Sequence, residues 1–439
     1  MSTFTCSVGR AAVAVFLAVF SSSLLAQGVG ALPRAEAGYT PGSYGYSPPA
    51  VPSSTDLLSS APVTQGCNWS AIYGNGTSEN FAYPEANATY WQASLPEVNA
   101  AGTVVRIDGR YSNARFSSLS LYNSSYQLLG TLSDYLLMPS MHGVDPFEGK
   151  TQRKPGVAYG GTFTAYVMFG TAPAQPAANT LYVAPQLGPY GASLPSVQQL
   201  YLMYRVYVPQ GGTASGDVPL PALSINGTPF SSQTDSLYCQ NLTTDFGQSL
   251  LYAVPLTPGQ TALSAPANPA FTLYTASGGV GVNGDNQYMY ADATLPAGYL
   301  YIVRAKAPTH TDLSAVTADV RYWSICQNTE SSLEVVACVG DFQALLDAEG
   351  YFNIVVTNDS SAPSYALGYS WMPFGPRSPA TVIYRQLLAA DGFAGASGGT
   401  TMGSYTPQLA YCQVSKFQSL VAQSNTPRQV FEACGGPAD

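Results

Sequence analysis

A chain of 439 residues is roughly twice what one hydrophobic core organises, which predicts two folded domains plus a leader. Only 9% of the residues are charged, against about a quarter in an average globular chain, while 46% are hydrophobic and 31 are tyrosine. Solubility then rests on Ser, Thr, Asn, Tyr and attached sugars. A net charge of −9 without any basic cluster argues against a nucleic-acid partner.

In chain order, Met1 to Arg10 carries one positive charge and precedes the apolar run AAVAVFLAVFSSSLLA, Ala11 to Ala26. This is the pattern of a secretory signal peptide over residues 1–31, cleaved after Ala26 or after Val29-Gly30-Ala31. The run is shorter than the ~20 residues a spanning helix needs, and no later stretch qualifies, so no membrane span is expected. Residues 32–66, rich in Pro, Ser, Gly and Tyr and without periodicity, read as a linker.

Export sets the reading of the cysteines. Cys6 leaves with the leader, and Cys67, Cys239, Cys326, Cys338, Cys412 and Cys434 remain. An even number in an oxidising compartment predicts three disulfides. Six cysteines allow 15 pairings. The short-range pairs Cys326 with Cys338 and Cys412 with Cys434 are the ones expected. Zinc is disfavoured, because no C-x-x-C occurs and the chain has 2 histidines. Asn-x-Ser/Thr sequons begin at Asn68, Asn75, Asn87, Asn123, Asn226, Asn241 and Asn358, which predicts an N-glycosylated surface. Asn87 and Asn358 fall in or beside predicted strands.

From Cys67 onward, short stretches rich in Val, Tyr, Phe, Leu and Thr alternate with Gly, Pro, Asn and Asp clusters. TVVRIDGRY, FSSLSLYN, TFTAYVMFG, LYLMYRVYV, YLYIVRAKA, VRYWSICQ, YFNIVVTN and ATVIYRQLL all have strand length and turn boundaries. Helical periodicity is rare, with its better candidates, both short, near Glu334–Leu346 and Lys416–Ala422. An internal repeat orders these segments. NATYWQASLP, ARFSSLSLYN, GGTFTAYVMFG and LYLMYRVYVP are matched in the same order by DNQYMYADATLP, VRYWSICQN, EGYFNIVVTN and TVIYRQLL. Arg106 thereby matches Arg304, Arg115 matches Arg321, Gly161 matches Gly350 and Arg205 matches Arg385. The expected fold is all-β, two related β-sandwich or jelly-roll domains from an internal duplication, over residues 67–245 and 246–439.

The strings YPEANATYW, DNQYMY, VRAKAPTHTD, VRYWSICQN and WMPFGP, followed by Tyr-Arg, resemble an uncharacterised family of exported, mostly bacterial proteins with tandem β-sandwich domains. That resemblance covers roughly residues 67–439. It implies an all-β fold and no established activity.

Candidate sites follow from residues whose chemistry exceeds packing. Arg115, Arg205, Arg321 and Arg385 sit in apolar strands, where an unpaired charge is costly. They read either as clamps for a carboxylate or sulfate on a ligand, or as scaffold arginines paired with strand-end acids, the reading favoured because they recur in both halves. Asp285, Asn286 and Asp292 supply oxygens that calcium could use, but calcium takes six or more. His142, Asp145 and Glu148 in MHGVDPFEGK combine an acid, a base and a loop, the minimum for glycoside hydrolysis. Two motif matches carry nothing: GVGVNG is followed by a strand where a helix should open, and GASGG has no histidine after it. Tyrosines on sheet faces suit both packing and sugar stacking. The expectation is a secreted or cell-surface glycoprotein that binds glycan or a matrix partner, without a cofactor. A secreted hydrolase or lyase acting on polysaccharide and a self-assembling surface component are the alternatives.

Overall fold

Continuous apolar stretches and alternating ones occupy different layers of this protein. The structure is a computed structural model that describes residues 69–73, 80, 82–95, 102–141, 143–183, 200–229, 266–274, 281–311, 318–396 and 402–438. They belong to one compact unit, Thr64–Asp439. The leader, the linker, the boundary at 245/246, Cys67, Cys239, His142, Asn68, Asn75 and Asn241 lie outside the described residues.

The first half runs β1 (Ser70–Tyr73), β2 (Ala88–Leu95), β3 (Val104–Arg110), β4 (Ala114–Tyr122), β5 (Leu128–Ser133), β6 (Phe147–Gly149) and β7 (Gln152–Arg153). It continues with β8 (Thr162–Phe169), β9 (Thr180–Val183), β10 (Leu200–Pro209), β11 (Ala222–Ile225) and β12 (Thr228–Pro229). One sheet has the order β1-β2-β10-β4-β5 and a second β12-β11-β3-β8-β9, with β6-β7 a separate ribbon.

The second half runs β13 (Thr272–Leu273), β14 (Asn286–Ala293), β15 (Tyr299–Lys306), β16 (Val320–Thr329), β17 (Glu334–Gly340), β18 (Tyr351–Thr357), β19 (Ser370–Pro373), β20 (Ala380–Ala389) and β21 (Gln408–Gln413). Its sheets are β13-β14-β20-β16-β17 and, taken from the opposite edge, β21-β15-β18-β19. The two halves therefore share a strand order. Even the exception recurs, since β9 joins β8 in parallel and β19 joins β18 in parallel, in sheets otherwise antiparallel. Register recurs too. Arg205 on β10 lies opposite Tyr90 and Ser118, and Arg385 on β20 lies opposite Tyr288 and Ser324.

Burial shows which layers are inside. On β3, Val105 and Ile107 are buried while the alternate residues Arg106 and Asp108 are not, the alternation of a sheet with one wet face. Every residue of β4 and β16 is buried, and nearly every residue of β10 and β20. These strands belong to two central sheets that are covered on both sides. Trp91, Leu119 and Leu202 pack against Ile107, Ala165 and Val167 in the first half. Trp323, Ile325 and Tyr384 pack against Val303, Phe352 and Ile354 in the second. Between the central sheets, Tyr90, Phe116 and Tyr207 meet Tyr322 and Leu387. At about 1.5–3 kcal/mol for each large apolar side chain buried, this middle layer is as much a core as the other two.

Two helices, α1 (Val414–Ala422) and α2 (Pro427–Ala433), cover the far side of the second outer sheet. Phe417, Val430 and Phe431 fill against Leu300, Ile302 and Val355. Thr426 and Gln429 form a capping box at the start of α2, with Pro427 in its first turn, so its first amides are satisfied before the helix packs. The disulfide Cys412–Cys434 ties α2 to β21, and Cys326–Cys338 joins directly opposed residues of β16 and β17.

The helix expected over Glu334–Leu346 is absent. Residues Glu334–Gly340 form β17, and Val335, Val336, Cys338 and Val339, which point to both of its faces, are all buried. β-Branched residues with burial on both sides favour a strand over a short helix. The helix expected from Lys416 is present and begins at Val414. No helix among the described residues is long and apolar enough to cross a membrane.

Candidate ligand pocket between the central sheets

Contacts across the middle layer are reciprocal. Arg321, on β16, donates to Asp134, which follows β5 in the other half, and the pair is at 3.1 Å with both side chains at 1% exposure or less. Arg115, on β4, donates to Asp341, which follows β17. Each aspartate also accepts a backbone N–H from its own half, Asp134 from Ser117 at 2.8 Å and Asp341 from Trp323 at 3.2 Å. Ser117 and Trp323 each lie two residues beyond the matched arginine. The charges of Arg115 and Arg321 are thus paired, and Arg321 also donates to the carbonyls of Lys150, Gly149 and Arg115.

Two straps complete the exchange. The segment before β2 crosses to the second half, where Tyr83 N donates to Leu333 O at 2.7 Å. Its Glu85, fully buried, accepts from Tyr322 and Ser324. The segment before β14 crosses the other way: Gly281 N donates to Tyr126 O at 3.2 Å, and Tyr122 donates to Val282 O at 2.6 Å. Asp285 on that strap accepts from Ser133. Burial pushes its carboxyl up to about 6, against the Ser133 hydrogen bond, with Asp134 adding to the rise.

Between straps and sheets lies a pocket of about 480 Å³, in the range of small-molecule sites. Arg205, Arg385, Tyr90, Tyr207 and Tyr288 line its inner part, and Met203, Ile383 and Val282 give it apolar walls. The two arginines differ in what holds them. Arg385 donates through Nη2 to Tyr83 O at 2.6 Å and has Glu85 at 3.6 Å from Nη1. Arg205, 1% exposed, donates only through Nη2, to Tyr122 and to Gly281 O. Its Nε and Nη1 are buried with no hydrogen-bond acceptor, and no described carboxylate pairs with it. The guanidinium lies over the Tyr90 and Tyr122 rings at 5.5 and 5.4 Å, which offsets part of its desolvation. Arg205 therefore lines the pocket as a buried cation, with two nitrogens that have no acceptor among the described residues.

The remaining candidates separate. Asp145 is used as a turn residue, its Oδ1 accepting from Phe147 N at 2.8 Å, and Glu148 is exposed on β6. Asp285 immediately precedes β14 and Asp292 lies near its far end, a separation of about 23 Å at strand rise. Asn286 is turned to Tyr207 and Asp292 to Thr381. These three do not converge on one ion. Among the described residues, Glu85, Cys326 and Cys338 are the group close enough for a metal, and the two cysteines are joined to each other.

The described sequons also differ. Asn87 is buried, with Nδ2 donating to Glu85, Tyr322 and Gln343, so a sugar on that nitrogen is incompatible with this packing. Asn123, also buried, closes a turn with Ser125 and Gln127. Asn226 and Asn358 are exposed.

The sequence alone names Arg115, Arg205, Arg321 and Arg385 together and misses the acids and straps that distinguish the second and fourth from the first and third. One signal is present in it: Asp134-Tyr135 and Asp341-Phe342 each follow the strand after the matched arginines.

No protein-family model matches the chain, and no curated protein matches it. Among solved structures it is similar to an uncharacterised protein from Burkholderia cenocepacia, at 12% identity over 80% of this chain and 83% of that one, with a TM-score of 0.47. It is also similar to a protein from Vibrio parahaemolyticus, at 13% identity over 74% of this chain and 89% of that one, with a TM-score of 0.37.

Proposed function

We propose that this chain is an exported, disulfide-bonded binding protein that holds a small ligand by an anionic group in the pocket between its central sheets. The observation that carries the reading is Arg205, a buried pocket-lining guanidinium whose Nε and Nη1 have no hydrogen-bond acceptor among the described residues. Leaving such donors unmet costs about 1–3 kcal/mol or more, a cost that a bound carboxylate removes. Met203, Ile383 and Val282 favour an apolar or aromatic body behind that group over a fully hydroxylated sugar. The carbohydrate expected from the sequence is one form of this ligand only if it carries an acid. Export rests on the leader, the sequons and the two disulfides.

Thermal unfolding with octanoate and with octanamide tests the reading. Octanoate is expected to raise the midpoint while octanamide at the same concentration does not. Equal shifts, or no shift with either, contradict it.

A further inference from the structure

The pocket is polarised along its length. On β20, Arg385, Ile383 and Thr381 share one face at alternate positions, and on β14 Tyr288, Tyr290 and Asp292 lie opposite them in register. Four residues at about 3.4 Å each separate the arginine row from the aspartate row by roughly 14 Å. The inner end holds Arg205 and Arg385. At the other end Asp292 and Glu330 are exposed, and Tyr290 and Tyr274 are partly so, at 36% and 37%. Tyr83 lies between the two acids. Burial raises its hydroxyl pKa, Thr381 opposes the rise, and Glu330 and Asp292 add to it. The mouth is therefore acidic and aromatic while the interior is cationic.

A purely anionic ligand meets repulsion at that mouth. A ligand with an anion at one end and a cation at the other meets opposite charge at both. Tyrosine faces beside carboxylates suit an ammonium group in particular. We infer that the ligand is an extended zwitterion, carboxylate inward on Arg205 and ammonium outward among Asp292, Glu330 and Tyr290, the chemistry of a short apolar peptide with free ends. This rests on the proposed anion site at Arg205. A peptide spans about 3.3–3.6 Å per residue when extended, so three residues cover about 10–11 Å and leave about 3 Å for the ion-pair contacts at the two ends.

Calorimetric titration with tri-leucine, its C-terminal amide and its N-acetyl form separates the two ends. Tri-leucine is expected to bind at least tenfold more tightly than the amide, about 1.4 kcal/mol or more. It is expected to bind about five- to tenfold more tightly than the acetyl form, since a rim ion pair plus a cation–π contact is worth about 1–1.4 kcal/mol. The double variant Asp292→Asn, Glu330→Gln changes exposed side chains only, and is expected to erase the second preference while keeping the first. Equal binding of tri-leucine and its acetyl form, both above the amide, overturns the zwitterion and leaves the anion site standing. Equal binding of all three, or none, overturns both.

Discussion

Arg321 and Asp134 belong to different halves of the chain and meet at 3.1 Å with neither side chain exposed beyond 1%. Their counterparts Arg115 and Asp341 make the same exchange in the opposite direction. Each half thus lends an arginine to the other and returns an aspartate.

Removing one member of the buried pair leaves an uncompensated charge. Arg321→Met is expected to destabilise the protein by about 3–5 kcal/mol, with part of that recovered when Asp134→Asn is added. Arg115→Met should cost less, because His310 Nδ1 lies 3.8 Å from Asp341 and Arg115 is 8% exposed. Urea unfolding of the single and double variants, treated as a thermodynamic cycle, gives these values. Additive effects of Arg321→Met and Asp134→Asn would mean that the pair is not coupled.

Asp285 gives a pH dependence of definite sign. Its carboxyl titrates at about 6 in the folded protein and near 3.9 when unfolded. Between those values the folded state binds more protons than the unfolded one, so stability falls as pH rises from about 4 to about 6 and then levels. Asp285→Asn abolishes that part of the slope. It stabilises the protein above pH 6 by about 1–3 kcal/mol, because each pH unit between the folded and unfolded titration points is worth about 1.36 kcal/mol. The matched strap position already carries a neutral amide, Asn87. Unfolding midpoints from pH 4 to pH 8 check the sign, and a steeper loss of stability in the variant would reverse it.

Glycan placement is expected to follow burial. Protein secreted from a eukaryotic host should carry sugar at Asn226 and Asn358 and none at Asn87, where the amide is committed to Glu85, Tyr322 and Gln343. Peptide mapping by mass spectrometry reads the occupancy directly. Sugar on Asn87 would mean that the strap before β2 is not seated against Tyr322.

How much of this is legible in the sequence depends on whether the cause is local. Strand lengths and turns are, because alternation and Gly, Pro and Asn clusters are local signals. The all-β fold follows from them. So do the disulfides Cys326–Cys338 and Cys412–Cys434, each between residues close in sequence. β17 reads as a helix because Glu334 to Leu346 has apolar residues at helical spacing, while its burial on two faces comes from other strands. Arg205 cannot be told from Arg115 by sequence, since both sit in apolar strands. What separates them is an ion-paired acid more than 200 residues away in one case and no ion pair among the described residues in the other. The contrast between wholly apolar strands such as LYLMYRVYV and alternating ones such as VVRIDGR is a usable sign of central and outer sheets.

The anion site at Arg205 is tested most directly by titrating octanoate into the protein and into Arg205→Gln and Arg205→Lys by calorimetry, with circular dichroism to confirm the fold. One site per chain is expected in the unsubstituted protein, with affinity lowered at least tenfold, about 1.4 kcal/mol, by Arg205→Gln and by a smaller factor by Arg205→Lys, which keeps the charge but not the planar fork. Undiminished octanoate binding by a folded Arg205→Gln protein would contradict the account.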